Sequence, residues 1–215
     1  MKTSNYIWLQ VALFILLLYF GKVSNVACLI QEPYVPLGPN ALQGIGQIYF
    51  VPIDTFPQDV LNRLKTYYWN KYGLSISVLP APLPAVVAHA FNEERGQYVA
   101  EEIIDILGQA TPAWEPSSTI IALTEQDLYI RESSWRYAFG YRSAQRAIVS
   151  SARMNTRFMA VWPIDSEWKE NRLRKMVTKY IGVLHYRLSL SSNCRSPLFG
   201  KIGGPQELDF MEEDL

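Results

Sequence analysis

The sequence predicts a mixed α/β (α+β) domain in which a mixed β-sheet packs against helices. From residue 46 onward, short runs rich in β-branched residues alternate with segments that have helical spacing. The clearest helical pattern is a long amphipathic helix at about 166–188. Hydrophobic residues make up 49% of the chain and charged residues 19%, a balance that supports a packed core and argues against disorder.

Five apolar segments have the character of strands. GQIYFVPI alternates apolar residues, and STIIALT is a short run of the kind that forms a buried strand. With three further segments they are expected to build the sheet. The five lie at 46–53, 74–80, 118–124, 128–130 and 146–153.

Two helices are predicted in the first half of the domain. The first follows Asp54 or Thr55, either of which can cap it, and it ends at Gly73. The second is predicted to be capped by Asn92 and to end at Gly108. In both, apolar residues recur at helical spacing and predict one buried face each.

The third helix carries the strongest periodic signal in the chain. It is predicted to begin near Asp165 or Ser166, because Ser and Asp are favoured cap residues. Apolar positions three and four residues apart predict a single stripe that faces the core. The stripe consists of Leu173, Met176, Val177, Tyr180, Ile181, Leu184 and Leu188.

A turn-rich segment with an acidic end follows this helix. Its last residues, ELDFMEEDL at 207–215, predict a solvated acidic terminus or a weak calcium contact. Their spacing is not that of an EF-hand loop. Elsewhere the 20 basic residues balance the 20 acidic ones without a basic stripe, which excludes nucleic acid as an electrostatically favoured partner.

The N-terminus carries a targeting signal. Lys2 precedes an apolar run that ends at Gly21 and is short for a membrane span. We therefore predict a signal peptide or membrane anchor over residues 1–27, a Pro/Gly-rich tether over 28–45 and the folded domain over 46–215. Such a domain is extracytoplasmic, either secreted or held in the cell envelope.

Cys28 follows this segment and has three interpretations. Small residues before a cysteine are typical of bacterial lipoprotein cleavage, although Asn25 and Lys22 depart from that pattern. Cys28 could instead form a disulfide with Cys194, which an oxidising compartment permits. The third interpretation is cleavage elsewhere or an uncleaved anchor.

Three stretches together resemble the archaemetzincins, a family of small zinc-dependent peptidases. They are FNEERGQYVAEEIIDIL, IIALTEQDLYIRESSWRYAFGYRSAQRAIVSSAR and RLRKMVTKYIGVLHYRLSLSSNC. The resemblance covers most of residues 46–210 in the same order and implies a small metzincin-like domain. It also implies a zinc site built from HExxHxxGxxH, in which three His bind the metal and the Glu is the general base.

The residues aligned with that motif do not reproduce it. Lys179 stands at the first His and Tyr180 at the Glu, while Val183 replaces the second His. Tyr186 replaces the Gly and Ser189 the third His. These vestigial positions predict neither a catalytic residue nor a bound cofactor.

His185 and Cys194 also bear on this site, and Lys179 itself has two interpretations. The chain has only two histidines, and His185 lies two residues out of register with the motif. It is predicted to be a half-buried packing histidine, or else to join Cys194 and carboxylates in an atypical metal site. Lys179 is predicted to be a solvated lysine off the apolar face, the alternative being a charge in the cleft that mimics the missing cation.

Two functions follow from these observations. The first is an extracytoplasmic, catalytically inactive relative of archaemetzincins, a pseudoenzyme that binds peptide or protein and reaches the membrane through its N-terminal anchor or lipid. The alternative is an active zinc-dependent metallopeptidase or other hydrolase with an atypical site, and zinc is a cofactor only in that case.

Overall fold

The computed structural model describes Cys28 and residues 33–38, 41–110, 116–155 and 166–215. The predicted signal segment, 1–27, lies outside the described residues. Contacts divide the chain into a unit of residues 1–33 and a unit of residues 34–215, and the second contains every strand and helix given below. No helix in the described ranges has the length and apolarity needed to cross a membrane.

The main sheet has five strands in the order β2-β1-β5-β8-β7. Three of its four strand pairings are parallel. The fourth is antiparallel and joins β8 to the edge strand β7. The predicted strands at 46–53, 74–80, 118–124 and 146–153 are confirmed, while β7 was not foreseen. The bounds are β1 Ile48–Pro52, β2 Ile76–Val78, β5 Thr119–Thr124, β7 Gly140–Ser143 and β8 Arg146–Ser150.

Both faces of this sheet are covered, which explains its apolar strands. Every residue of β5 is buried, as expected for a central parallel strand. Alternate residues of β1 enter two different cores, with Ile48 and Phe50 on one side and Tyr49 and Val51 on the other.

A second sheet of three short strands has the order β3-β4-β6. Strands β3 (Phe91–Asn92) and β4 (Gln97–Val99) form a hairpin, and β6 (Leu128–Tyr129) pairs with β4. The predicted segment 128–130 is thus a strand, but of this smaller sheet.

The helix predicted from Asn92 is wrong in its first part. The Asn92 side chain accepts a hydrogen bond from the Arg95 amide at 3.0 Å inside the hairpin turn. Gly96 adopts φ 62°, which breaks any helix there. The helix itself begins at Ala100 and continues through Gly108 to Ala110.

The helix after β1 also begins differently from the prediction. Pro57 precedes it and no side chain caps it, whereas Asp54 adopts φ 55° and accepts a hydrogen bond from the Tyr98 hydroxyl at 2.7 Å. Gly73 ends this helix at φ 66°, as predicted. In chain order the helices are α1 Gln58–Tyr72, α2 Pro84–Ala88, α3 Ala100–Ala110, α4 Ser166–Tyr180 and α5 Pro205–Phe210.

The long C-terminal helix is α4, and its last turn widens. A π-helical turn, Ile181–His185, follows α4 directly, so Leu188 lies beyond the helix that was predicted to reach it. A side chain at Gly182 would come within 2.6 Å of Leu198 and 2.8 Å of Leu215. This close packing explains why glycine occupies the turn.

The prediction of a solvated acidic terminus is wrong. Four of its carboxylates pair with basic side chains, and the Arg172 guanidinium, buried beneath α5, holds both oxygens of Asp209 at 2.7 Å. Arg172 also donates to the Met154 carbonyl at 2.6 Å. These contacts fix α4 within the domain. The other pairs are Arg174–Glu213, Arg195–Glu212 and Lys71–Asp214.

The segment predicted as a tether contacts His185. The Ile45 amide donates to the His185 carbonyl at 3.0 Å, and a side chain at Gly44 would collide with the imidazole. His185 is 6% exposed, and its Nδ1 has no hydrogen-bond partner among the described residues. Burial lowers the pKa of His185 below its ordinary value of 6.5.

Acid should therefore destabilise the domain through His185. The unfolded chain takes up a proton near pH 6.5 and the folded one only at lower pH, so the free energy of unfolding falls as pH drops below about 6.5. Its slope is at most about 1.4 kcal/mol per pH unit. Urea unfolding between pH 7.5 and 5.0 measures this loss.

Replacing each histidine in turn isolates the effect. His185→Gln should flatten the pH dependence of the free energy of unfolding. His89→Gln, which replaces an exposed histidine, should leave that pH dependence unchanged. Parallel curves for wild type and His185→Gln would show that His185 does not titrate differently in the two states.

Candidate functional site

A cleft of about 330 Å³ opens where the edge strand β7 meets the C-terminal end of α4. The third wall is the segment after the π-helical turn. None of the lining residues that the structure describes is acidic, while two are basic. They are Trp135, Ala138, Phe139, Gly140, Tyr141, Arg142, Met176, Lys179, Tyr180, Leu190, Gly200 and Ile202.

Strand β7 offers an open edge beside this cleft. Within the described ranges it pairs only with β8. The Phe139 carbonyl accepts from the Ser150 amide at 2.9 Å, and antiparallel backbone groups alternate, so Tyr141 and Ser143 also bond inward. The N–H and C=O groups of Gly140 and Arg142 consequently face outward.

Gly140 allows α4 to approach the strand closely. A side chain at this position would lie 2.6 Å from the Ile148 carbonyl and 2.8 Å from the Tyr180 ring. Tyr180 is buried, which raises the pKa of its phenol and keeps the hydroxyl protonated. The residue aligned with the general base is therefore a neutral packing side chain.

Lys179 is the charged residue of this helix end, and the prediction that it is solvated is wrong. Its side chain lines the cleft and is only 7% exposed, because the cleft walls cover the helix face that was expected to meet water. Burial, and then the positive charge of Arg142, lower the pKa of Lys179 to about 8. At pH 7 roughly nine-tenths of the ammonium is still protonated.

The surroundings of Lys179 differ from those of the lysine one turn earlier. Lys175 is equally buried, and its ammonium donates to the Leu208 carbonyl at 3.0 Å. For Lys179 no ion pair or hydrogen bond forms with any described residue. Its charge is therefore held in the cleft without a compensating group.

Arg142 adds a second cation on the same side. Residues two apart share one face of a strand, and Gly140 faces Tyr180, so Arg142 also lies on the α4 side of β7. Tyr141 packs into the opposite core, beside α3. Arg142 is exposed and has no acidic partner within the part of the chain that the structure describes.

The remaining motif positions do not join the cleft. Val183 and Tyr186 pack into the core beneath the main sheet, and Ser189 is exposed. Tyr186 contacts His185 edge to face, with ring centroids 4.8 Å apart. Zinc in proteins is bound in tetrahedral geometry, mostly by imidazole nitrogen and thiolate sulfur. The motif positions offer instead an ammonium, an isopropyl group and hydroxyls that lie apart, so these residues do not fit the metal.

The alternative pair, His185 and Cys194, does not assemble a metal site either. Cys28 and Cys194 are both disulfide-bonded, which leaves no thiolate to bind a metal. Among the described residues, no three His, Cys, Asp or Glu side chains come together in a group that could hold an ion.

Sequence reasoning missed both β7 and Arg142, and for the strand the reason is local. The two-residue turn between β7 and β8 uses Ala144 at φ 49° in place of the Asn-Gly or Asp-Gly pair that marks such hairpins. The exposed polar residues of GYRS also lack a strong strand signal. Only the short alternation of aromatic and other residues from Phe139 to Arg142 could have indicated an edge strand.

Comparisons with known proteins agree with this architecture. No family model matches the chain. The archaemetzincin of Halobacterium salinarum is 26% identical over 138 residues, covering 63% of this chain and 76% of that protein. The archaemetzincin of Pyrococcus furiosus is 26% identical over 133 residues, covering 60% and 68%.

Solved structures show the same fold. The archaemetzincin of Methanopyrus kandleri superposes with a TM-score of 0.60 at 21% identity, covering 84% of this chain and 92% of that one. A zinc-dependent peptidase from Methanocorpusculum labreanum gives a TM-score of 0.62 at 20% identity, covering 77% and 94%. In sequence and in fold, this chain is an archaemetzincin-like protein.

Proposed function

We propose that this protein is an extracytoplasmic, catalytically inactive archaemetzincin-like module that binds extended peptides along the outer edge of β7. The observation that carries the proposal is the buried Lys179, which no described residue pairs with, in the cleft where the family resemblance places the first zinc ligand. The fold and its cleft are kept, while the chemistry at their centre is replaced.

The side chains at the motif positions support inactivity. Lys179 is mostly protonated at neutral pH and repels a divalent cation. Tyr180 keeps its proton and cannot serve as the base that activates a water molecule. Ser189 is exposed and does not itself line the cleft, although the next residue, Leu190, does.

The open edge of β7 supports peptide binding. Outward N–H and C=O groups at Gly140 and Arg142 provide up to four main-chain hydrogen bonds, the usual source of affinity when a peptide adds to a sheet. The cleft beside them is within the volume range of side-chain and ligand pockets. Neither feature requires a metal.

The state of the cysteines supports a location outside the cytoplasm. Disulfides persist in oxidising compartments, and neither cysteine is free here. Lipidation of Cys28 would need the same sulfur atom, so the disulfide-bonded state of Cys28 favours the disulfide interpretation over the lipoprotein one. The apolar N-terminal segment then serves as a signal peptide or an anchor.

Metal content separates this proposal from the peptidase alternative. The protein, produced with its disulfide formed and dialysed against zinc at pH 7.5, should retain less than about 0.1 zinc per chain, because the cleft presents a cation to the metal. Elemental analysis gives the ratio. A quenched-peptide library, with a known zinc peptidase as the positive control, should show no cleavage.

Near-stoichiometric zinc would contradict the proposal if a chelator also removed peptide cleavage. Loss of cleavage on chelation is the decisive part, because zinc bound elsewhere on the surface would not produce it.

The edge-strand mode predicts a specific pair of variants. Arg142→Pro removes an outward N–H group, whereas Arg142→Gln removes the same charge and keeps that group. Binding of an extended peptide should weaken by roughly fivefold to tenfold more in Arg142→Pro than in Arg142→Gln, the worth of about one hydrogen bond. Fluorescence anisotropy of a labelled peptide measures the ratio.

Amide hydrogen exchange gives an independent readout in the unmodified protein. Bound peptide should slow exchange at Gly140 and Arg142 more than at Tyr141, whose amide already bonds to β8. Equal affinities of the two variants, with no added protection along β7, would exclude strand addition at this edge.

A further inference from the structure

We infer that the cleft selects peptides that place a carboxylate between Lys179 and Arg142. This inference rests on the proposed peptide-binding function and specifies its ligand. It concerns the two cations that line the cleft and the absence of acidic residues among the lining side chains that the structure describes.

The first support is the uncompensated charge of Lys179. The Lys179 residue is only 7% exposed and lines the cleft, and a cation with so little access to water gains from an anion or hydrogen-bond acceptors that approach it. No described residue supplies either, in contrast to the Leu208 carbonyl that receives the Lys175 ammonium. A ligand carboxylate would provide the missing partner in surroundings with reduced solvent screening.

The second support is the direction of Arg142. Its side chain lies on the α4 side of β7, the same side as Lys179, and its positive charge lowers the pKa of that lysine. Two cations that disfavour one another in the free protein both gain from one anion placed between them. The guanidinium can hold a carboxylate through two parallel hydrogen bonds.

The geometry of strand addition explains why a peptide carries this anion. Side chains of an added strand alternate between the two faces of the sheet, so every second residue of the peptide points to the α4 side. An Asp or Glu at one such position enters the cleft. The exposed side chains of Trp135 (54%) and Leu190 (46%) at the rim provide apolar contacts for neighbouring residues.

A positional-scanning hexapeptide library, acetylated and amidated at its ends, tests the inference on the full protein with its disulfide formed. Peptides with Glu at one position should bind roughly ten- to a hundredfold more tightly than the Gln counterparts. A second set, free at the C-terminus and without acidic residues, tests whether a terminal carboxylate is the preferred source. Competition with a labelled binder gives the affinities.

Three variants locate the effect. Lys179→Met should remove the Glu preference, and Arg142→Gln should reduce it. Lys65 lies in α1 and does not line the cleft, so Lys65→Met should leave the Glu preference unchanged. Thermal unfolding verifies that Lys179→Met folds, and removing a buried uncompensated charge should preserve or raise its melting temperature.

The outcomes separate the two proposals. A Glu preference or a free-terminus preference that disappears in Lys179→Met supports the inference and identifies the carboxylate source. Equal binding of Glu and Gln peptides, weakened by Arg142→Pro, overturns the inference and leaves strand addition standing. A preference that survives in Lys179→Met also overturns it. Absence of peptide binding overturns both.

Discussion

A lysine that lines a cleft and has no ion-pair or hydrogen-bond partner among the described residues is the constraint on which the proposed function depends. Lys179 lies where α4 meets the edge strand, and the walls of the cleft leave it 7% exposed. A buried charge disfavours its own ionised state, which is why the pKa of Lys179 falls to about 8. The residue is nevertheless mostly charged at neutral pH, so the cleft of the free protein carries a positive charge that can bind an anion.

The rest of the fold keeps that charge in place. The Arg172 guanidinium ties α4 to Asp209 on α5 and to the Met154 carbonyl, which prevents the helix from sliding toward solvent. At the other end, Gly140 lets Tyr180 pack directly beneath the edge strand. Both contacts hold the backbone of α4 near Lys179 beside the edge strand.

Much of the architecture follows from local patterns in the sequence. The continuous apolar run of β5 and the three- and four-residue spacing of α4 report burial on both faces of a sheet and on one face of a helix. These patterns are strong because burying a large apolar surface requires many apolar residues at regular spacing. The failures occurred where short-range conformation decides the outcome, as at Gly96, whose positive φ converts a predicted helix start into a hairpin.

The site was harder to predict because it depends on distant parts of the chain. Helical periodicity placed Lys179 off the apolar stripe, which is correct for the isolated helix. It could not show that β7 and the segment near Leu190 would enclose that face. Arg142 was missed for the same reason, since its proximity to Lys179 arises only when β7 pairs with β8.

The most direct test is the pKa of Lys179, measured by NMR titration of its ε-carbon with Lys179→Met to assign the signal. The other titratable groups on the α4 side of the cleft are Arg142 and Tyr180. A value near 8 in the free protein, which rises when an acidic peptide is added, is what the structure predicts. A value near the ordinary 10.5, unchanged by peptide, would show that Lys179 is solvated and would contradict the account.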